Sequence, residues 1–191
     1  MILKEKLAEI IPKKRELAKK ILEKHGNSAV GNVTVEQIFG GMRGIKSLIC
    51  DTSEVALDTG LIIRDYPILD LVDKLPEEIF YLLLTGELPS QEALKELTEE
   101  LHRRNEVPFY VWNVLNALPS ETHPMVMMGT AVLVMENESF FKKRYEEGLS
   151  KDKLWEPMFF DSLNLIARIP AIAAYIRSEE RRVGKECRSR W

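Results

Sequence analysis

The chain has 191 residues, 45% hydrophobic and 30% charged, and a formal net charge of −3. That length supports one ordinary domain, or two at most, with a substantial apolar core, and the composition is that of a soluble globular protein. The charge is uneven, with residues 177–191 at +3 and the first 176 at −6; an acidic body argues against nucleic-acid binding, which needs a basic stripe to displace counterions from phosphates.

No uninterrupted run of eighteen apolar residues occurs, and residues 1–6 have no signal-peptide core, so the expected setting is the cytoplasm with no membrane partner. Two cysteines, Cys50 and Cys187, are too few and too isolated for a disulfide framework. His25, His102 and His123 lack metal-ligand spacing with Cys or acidic partners, and no metal site is expected.

Helical signals dominate from the start. Leu3, Leu7, Ile10 and Ile11 recur at three- and four-residue spacing, and Leu17, Ile21 and Leu22 resume that face after Pro12. This predicts an amphipathic helix, bent or restarted at the proline, with His25-Gly26-Asn27 as its stop. Residues 31–66 are the least helical part. Val33 and Val35 alternate, glycines cluster at Gly40, Gly41 and Gly44, and residues 47–51 and 61–63 are expected as short strands around Asp58-Thr59-Gly60.

Helix is expected again from Pro67 and from Pro76, the latter with Ile79, Phe80, Leu83 and Leu84 on a wide apolar face ended by Gly86. Ser90 is a natural N-cap for a helix bearing Leu94, Leu97 and Leu101, with Glu92 and Arg103-Arg104 matched to the helix dipole. Val111, Val114, Leu115 and Leu118 make a short helix between Pro108 and Pro119. Residues 124–135 are apolar almost all round, which requires burial in a large core or against another subunit. Residues 155–176 are similarly rich, with Asp161 and Arg168 their main charges, and Pro170 should kink that helix or begin another. No solenoid repeat or low-complexity linker occurs.

Several segments, in order, carry a family likeness: His25-Gly26-Asn27, Val33-Thr34-Val35, Gly40-Gly41-Met42-Arg43-Gly44, Leu83-Leu84-Thr85-Gly86-Glu87-Leu88-Pro89, His123-Pro124-Met125, Arg144-Tyr145-Glu146-Glu147-Gly148 and Leu165-Ile166-Ala167-Arg168-Ile169-Pro170. The set resembles the N-terminal part of the large domain of citrate synthases, of the type shared by mitochondria and some bacteria, over residues 1–176. The resemblance implies an all-α, multihelical fold with minor strands near residues 31–66, and a homodimer packed through antiparallel helix pairs. It implies an acyltransferase that condenses acetyl-CoA with oxaloacetate and water to citrate and CoA, acetyl-CoA being a substrate and no cofactor being needed. A related 2-methylcitrate synthase, using propionyl-CoA, and a non-catalytic helical module that dimerises or binds CoA are the alternatives.

The implied chemistry needs an aspartate base to take the thioester methyl proton and a histidine to donate a hydrogen bond to the enolate oxygen. A second histidine polarises the oxaloacetate carbonyl, and arginines grip the carboxylates. In the family these lie in the C-terminal half, so no catalytic residue is assigned here and the chain alone is expected to be inactive. Two cations match ligand positions instead. Arg43 falls where the family contacts a CoA phosphate, and Lys151 falls where some members place an arginine reaching CoA from the neighbouring subunit. The multiple phosphate charges of CoA need cationic partners, and flanking glycines let a backbone approach a ligand closely. The sequence departs from the family at Asp65, usually glycine, and in Met127-Met128-Gly129 and Phe140-Phe141-Lys142.

From residue 177 the apolar periodicity stops. RSEERRVGKECRSRW resembles the translation of a sequencing-library adapter, so residues 177–191 are expected to be non-native.

Overall fold

The computed structural model describes residues 1–45 and 48–183, with side chains described to residue 178. Among them are eight α-helices and one three-stranded antiparallel sheet, which is the expected all-α class with a minor strand region. The chain divides into two compact units, Met1–Leu97 and Thr98–Trp191.

The first unit opens with α1, Ile2–His25, which buries Leu3 and Leu7. Of the bend or restart expected at Pro12, the restart does not occur: one helix runs on through the proline. Proline removes one amide donor, but Pro12 and the Ala8 carbonyl it frees lie on exposed residues, where water can take the bond. The His25-Gly26 stop holds, with the Gly26 amide donating back to the Leu22 carbonyl at 2.8 Å.

Where Val33 and Val35 alternate, a short helix α2, Val35–Phe39, forms instead. Its cause is a capping box, the Thr34 hydroxyl accepting from the Gln37 amide at 3.2 Å and Gln37 Oε1 accepting from the Thr34 amide at 2.9 Å. Threonine followed three residues later by glutamine is a helix-start signal that outweighs a two-residue alternation.

The strands are β1 Ser53–Ala56, β2 Gly60–Ile63 and β3 Tyr66–Pro67, paired in chain order. The second matches expectation. The first was expected at 47–51: Ser47 lies outside the described residues, and residues 48–51 form no strand. The turn decides this, because Ala56 pairs with Gly60 across Leu57, Asp58 and Thr59, with Gly60 at φ 74°. Such a tight hairpin recruits the residues next to the turn as the partner strand. Pro67 ends β3 rather than opening a helix, a position at a sheet edge where its missing donor costs nothing, and a single 3₁₀ turn, Ile68–Leu71, follows.

Helix α3, Pro76–Thr85, starts and stops where expected, with Pro76 in the first turn and Gly86 at φ 85° beyond the end. The Glu78 carboxylate accepts from the Leu75 amide at 2.8 Å. In α4, Gln91–Arg103, the Ser90 hydroxyl caps the Ala93 amide at 3.2 Å. Leu71, Tyr81, Leu82, Ala93 and Leu97 are buried in this unit.

The second unit contains α5 Phe109–Ala117, α6 Pro124–Val134, a 3₁₀ turn Met135–Glu138, α7 Phe140–Glu146 and α8 Trp155–Val183. Val107, Val111, Leu115, Ala131, Met135, Ile172 and Ile176 form its core. Trp112 and Tyr175 meet at 4.8 Å between ring centroids, and the Tyr175 hydroxyl donates to Asn116 Oδ1 at 2.5 Å.

Of the kink or new helix expected at Pro170, no new helix begins there; like Pro12 it is exposed on a continuous helix. Its Trp155–Ser178 stretch is long and apolar enough, by length and composition, to cross a membrane, and it buries Phe159, Leu163, Ile172 and Ile176 within the protein. Helix α6 is apolar all round as expected, and it leaves Met125, Val126 and Leu133 exposed. Cys187 and the last eight residues of the suspected non-native tail lie outside the described residues.

Candidate functional site

Arg43 sits in the turn that follows α2. Gly40 closes that helix, and the next residues twist the chain through left-handed backbone at Gly41 (φ 73°), Met42 (φ 62°) and Gly44 (φ 76°). The Met42 amide donates to the Gln37 carbonyl at 2.7 Å, folding the turn back onto the helix end. A Cβ added at Gly41 or Gly44 would meet nothing within 4 Å. Glycine is therefore required there by backbone conformation and not by crowding, and the space on both sides of the exposed Arg43 is open.

Lys151 belongs to the second unit, in the connection between α7 and α8. That connection begins with a Schellman turn: Gly148 at φ 80° donates to the Tyr145 carbonyl at 3.0 Å, and Leu149 donates to the Arg144 carbonyl at 3.0 Å. A further turn brings the Lys153 amide to the Ser150 carbonyl at 2.9 Å, with the exposed Lys151 inside it. Both expected cations thus stand on exposed, hydrogen-bonded turns that follow short helices.

Other polar clusters have different uses. In the first unit Cys50, Asp51, Thr52, Ser53, Arg64 and Asp65 line an open recess. Arg64 at φ 47° is the left-handed residue of the β2–β3 turn; Asp65, which replaces the family's glycine, needs no left-handed backbone, and so the departure is accommodated. The Arg64 guanidinium lies 3.3 Å from the Asp51 carboxylate, and Lys14 hydrogen-bonds the same carboxylate. The Lys14 hydrogen bond, followed by the Arg64 charge, holds Asp51 below the usual carboxylate range. The exposed Cys50 thiol is lowered to about 7, chiefly by its hydrogen bond with the Thr52 hydroxyl.

In the second unit Glu136, Glu138, Ser139, Asp161, Asn164 and Arg168 line another recess. Arg168 pairs with Glu138 at 3.0 Å. The Tyr110 hydroxyl and Arg168 Nε are buried and unpartnered among the described residues, and burial, then the Glu138 charge, raises the Tyr110 pKa. Glu136 is paired in turn with Lys142 at 2.8 Å, so the acids of this recess are largely committed to protein partners.

The histidines do structural or surface work. His123 Nδ1 accepts from the Met125 amide at 3.1 Å and so caps α6, while His25 and His102 are exposed near the ends of α1 and α4. Among the described residues no three of His, Cys, Asp and Glu converge as metal ligands would. Arg64 and Asp161 are the polar residues with the most structural consequence that sequence reasoning left without a role. Their signals were a charged pair between two strands and the one acid in the apolar stretch from Met158 to Ile176.

A family model described as citrate synthase, C-terminal domain, matches residues 41–189. The chain belongs to the citrate synthase family. It is 40% identical over 184 residues to citrate synthase 4, mitochondrial, of Arabidopsis thaliana, covering 91% of this chain and 39% of that protein. It is 41% identical over 184 residues to the mitochondrial citrate synthase of Saccharomyces cerevisiae, covering 91% and 38%. It is 40% identical over 184 residues to the mitochondrial 2-methylcitrate synthase of Yarrowia lipolytica, covering 91% and 40%. The chain thus spans about two fifths of the length of these curated relatives. Among solved structures, citrate synthase from Pyrobaculum aerophilum superposes with a TM-score of 0.66 at 22% identity, over 81% of this chain and 40% of that one. A Thermoplasma acidophilum citrate synthase, solved as a ternary complex with carboxymethyl coenzyme A and oxaloacetate, gives 0.61 at 21% identity, over 75% and 36%. At those identities the likeness establishes the fold.

Proposed function

We propose that this citrate synthase family chain is scaffold from an enzyme that condenses acetyl-CoA with oxaloacetate and water to citrate and CoA. In this reading Arg43 and Lys151 offer cations to CoA phosphates, and the 191 residues alone do not turn over. The observation that carries the reading is the family match over residues 41–189. The open, glycine-flanked turn at Arg43 supports its ligand role.

Inactivity follows from what thioester enolisation needs: a carboxylate base, and a hydrogen-bond donor at the oxygen where charge develops. His123 commits its Nδ1 to a helix cap, and His25 and His102 match no catalytic motif. Residues 1–176 are read as the N-terminal portion of the large domain and residues 177–191 as non-native. The complete enzyme is read as a homodimer joined through the apolar faces of α6 and α8, which leave Met125, Val126, Leu133, Met158 and Ile166 exposed here. Propionyl-CoA is the second reading for the acyl substrate, resting on a 40% identity to the Yarrowia enzyme that equals the identity to Arabidopsis citrate synthase 4. The names of the relatives set the mitochondrion beside the cytoplasm as the compartment.

A thiol-release assay with acetyl-CoA and oxaloacetate tests the reading. The purified chain is expected to release no CoA above background, and release that co-purifies with the chain refutes it. Genomic sequence beyond Trp191 that continues with the missing histidines and aspartate supports the parent enzyme; a native stop codon there supports the non-catalytic module.

A further inference from the structure

Asp161 is the one acidic residue between Met158 and Ile176, and its carboxylate is fully engaged. One oxygen accepts from the Phe140 amide at 2.9 Å; the other accepts from the Ser139 hydroxyl at 2.7 Å and the Phe141 amide at 3.0 Å. The Ser139 oxygen in turn accepts from the Lys142 amide at 3.0 Å. The donors left open by the first turn of α7 are therefore taken by one carboxylate on α8 and one serine.

A helix of seven residues has too few internal bonds to hold itself in water. The Asp161 contact fixes where α7 begins, and Phe140 against Phe160 at 6.3 Å reinforces it. The Schellman turn at Gly148 fixes where α7 ends and how the chain leaves it. From there the turn holding Lys151 leads directly into α8. Residues 139–161 thus form a ring, closed at one end by the chain and at the other by Asp161.

We propose that Asp161 is a positioning residue for Lys151: by tying the first turn of α7 to α8, it holds the 147–154 connection in the conformation that presents the lysine ammonium to a CoA phosphate. This rests on the CoA role of Lys151 given above. A negative carboxylate at the N-terminal end of α7 also complements the positive end of the helix dipole, so the neutral asparagine weakens the tie even where it fits.

The test compares Asp161→Asn, Lys151→Ala, their double variant and the milder Ser139→Ala in the 191-residue chain. Amide hydrogen exchange is read along the chain, and CoA binding by isothermal titration. Asp161→Asn is expected to speed exchange at residues 140–153 about tenfold, leave α5 unchanged, and weaken CoA binding about fivefold. Lys151→Ala should weaken binding about tenfold without changing exchange, and the double variant should bind no more weakly than Lys151→Ala, because one residue acts through the other. Ser139→Ala should move both readouts the same way by less.

Faster exchange throughout the chain, or additive losses in the double variant, assigns Asp161 a general folding role and overturns the proposal. If Lys151→Ala weakens CoA binding while Asp161→Asn does not, the positioning step itself is wrong. If the unaltered chain binds no CoA, or if Lys151→Ala leaves CoA binding unchanged, the proposal falls with the premise on which it rests.

Discussion

Arg64 donates twice to one carbonyl, that of Leu83, from Nε at 3.1 Å and from a terminal nitrogen at 2.5 Å. Leu83 lies in the last turn of α3, where carbonyls have no amide further along the helix to accept from. The guanidinium therefore fills an orphan acceptor and places a cation at the negative end of the helix dipole. It also donates to the Asp51 carbonyl at 2.8 Å, joining the sheet turn to the segment before β1.

Arg64→Ala is expected to lower stability by about 1–3 kcal/mol, the range for charged hydrogen bonds lost at partly buried sites. Arg64→Lys should lose most of that, since an ammonium lacks the planar fork. Urea unfolding of the chain reads both. An alanine variant at wild-type stability would mean that water replaces the guanidinium at Leu83 without loss.

Cys50 is expected to titrate near neutrality. The Thr52 hydroxyl, 3.2 Å from the sulfur, and the adjacent backbone favour the thiolate and lower its pKa to about 7. With the pKa lowered, the reactive form is half-populated near pH 7 and dominates above it, whereas an ordinary thiol needs about pH 8.5. Alkylation of the Cys50 peptide by iodoacetamide, followed by mass spectrometry across pH, should show its midpoint near 7. Thr52→Ala should move that midpoint upward. A midpoint at the ordinary thiol value in the unaltered chain would rule out this local cause.

Gly86→Ala is expected to destabilise the chain by about 1 kcal/mol through backbone conformation alone. Gly86 has φ 85° and a Cβ there would meet nothing within 4 Å, so no packing cost is added. Gly86→Asn should recover part of the loss, since asparagine tolerates the left-handed region. Equal losses for both variants in denaturant titrations would argue against a conformational origin.

Helix boundaries were the most legible feature, because proline, serine and glycine mark them by local chemistry. Pro76, Ser90 and Gly86 each stand at the helix end that their backbone or side chain favours. Neither internal proline restarts its helix; Pro12 and Pro170 are both exposed, where water can take the carbonyl bond that the ring denies. The first strand was misplaced because register belongs to the turn, and hydrophobicity at residues 47–51 says nothing about pairing.

The candidate cations could be named from resemblance, and of their turns the glycine-flanked one at Arg43 was legible while the one at Lys151 was not. The clustered glycines marked the Arg43 turn locally, whereas the reach of Asp161 to Ser139 is a contact that no local pattern encodes.

Self-association of the isolated chain is the consequence of α6. A helix that is apolar on every face cannot bury them all within one unit, and here Met125 is 70%, Val126 55% and Leu133 76% exposed. Burying one such side chain is worth about 1.5–3 kcal/mol, and every 1.4 kcal/mol is about tenfold in affinity. Two or three acting together are enough to drive association at ordinary protein concentrations, and contiguous exposed apolar side chains of this kind favour it. Light scattering is therefore expected to show oligomers or aggregates for the chain, and a Met125→Lys, Leu133→Lys double variant should shift the distribution toward monomer. Both positions are exposed, so the lysines disturb no core contact, and their charge opposes any face-to-face packing of α6. A clean, stable monomer before substitution would mean that these side chains find cover within a single chain.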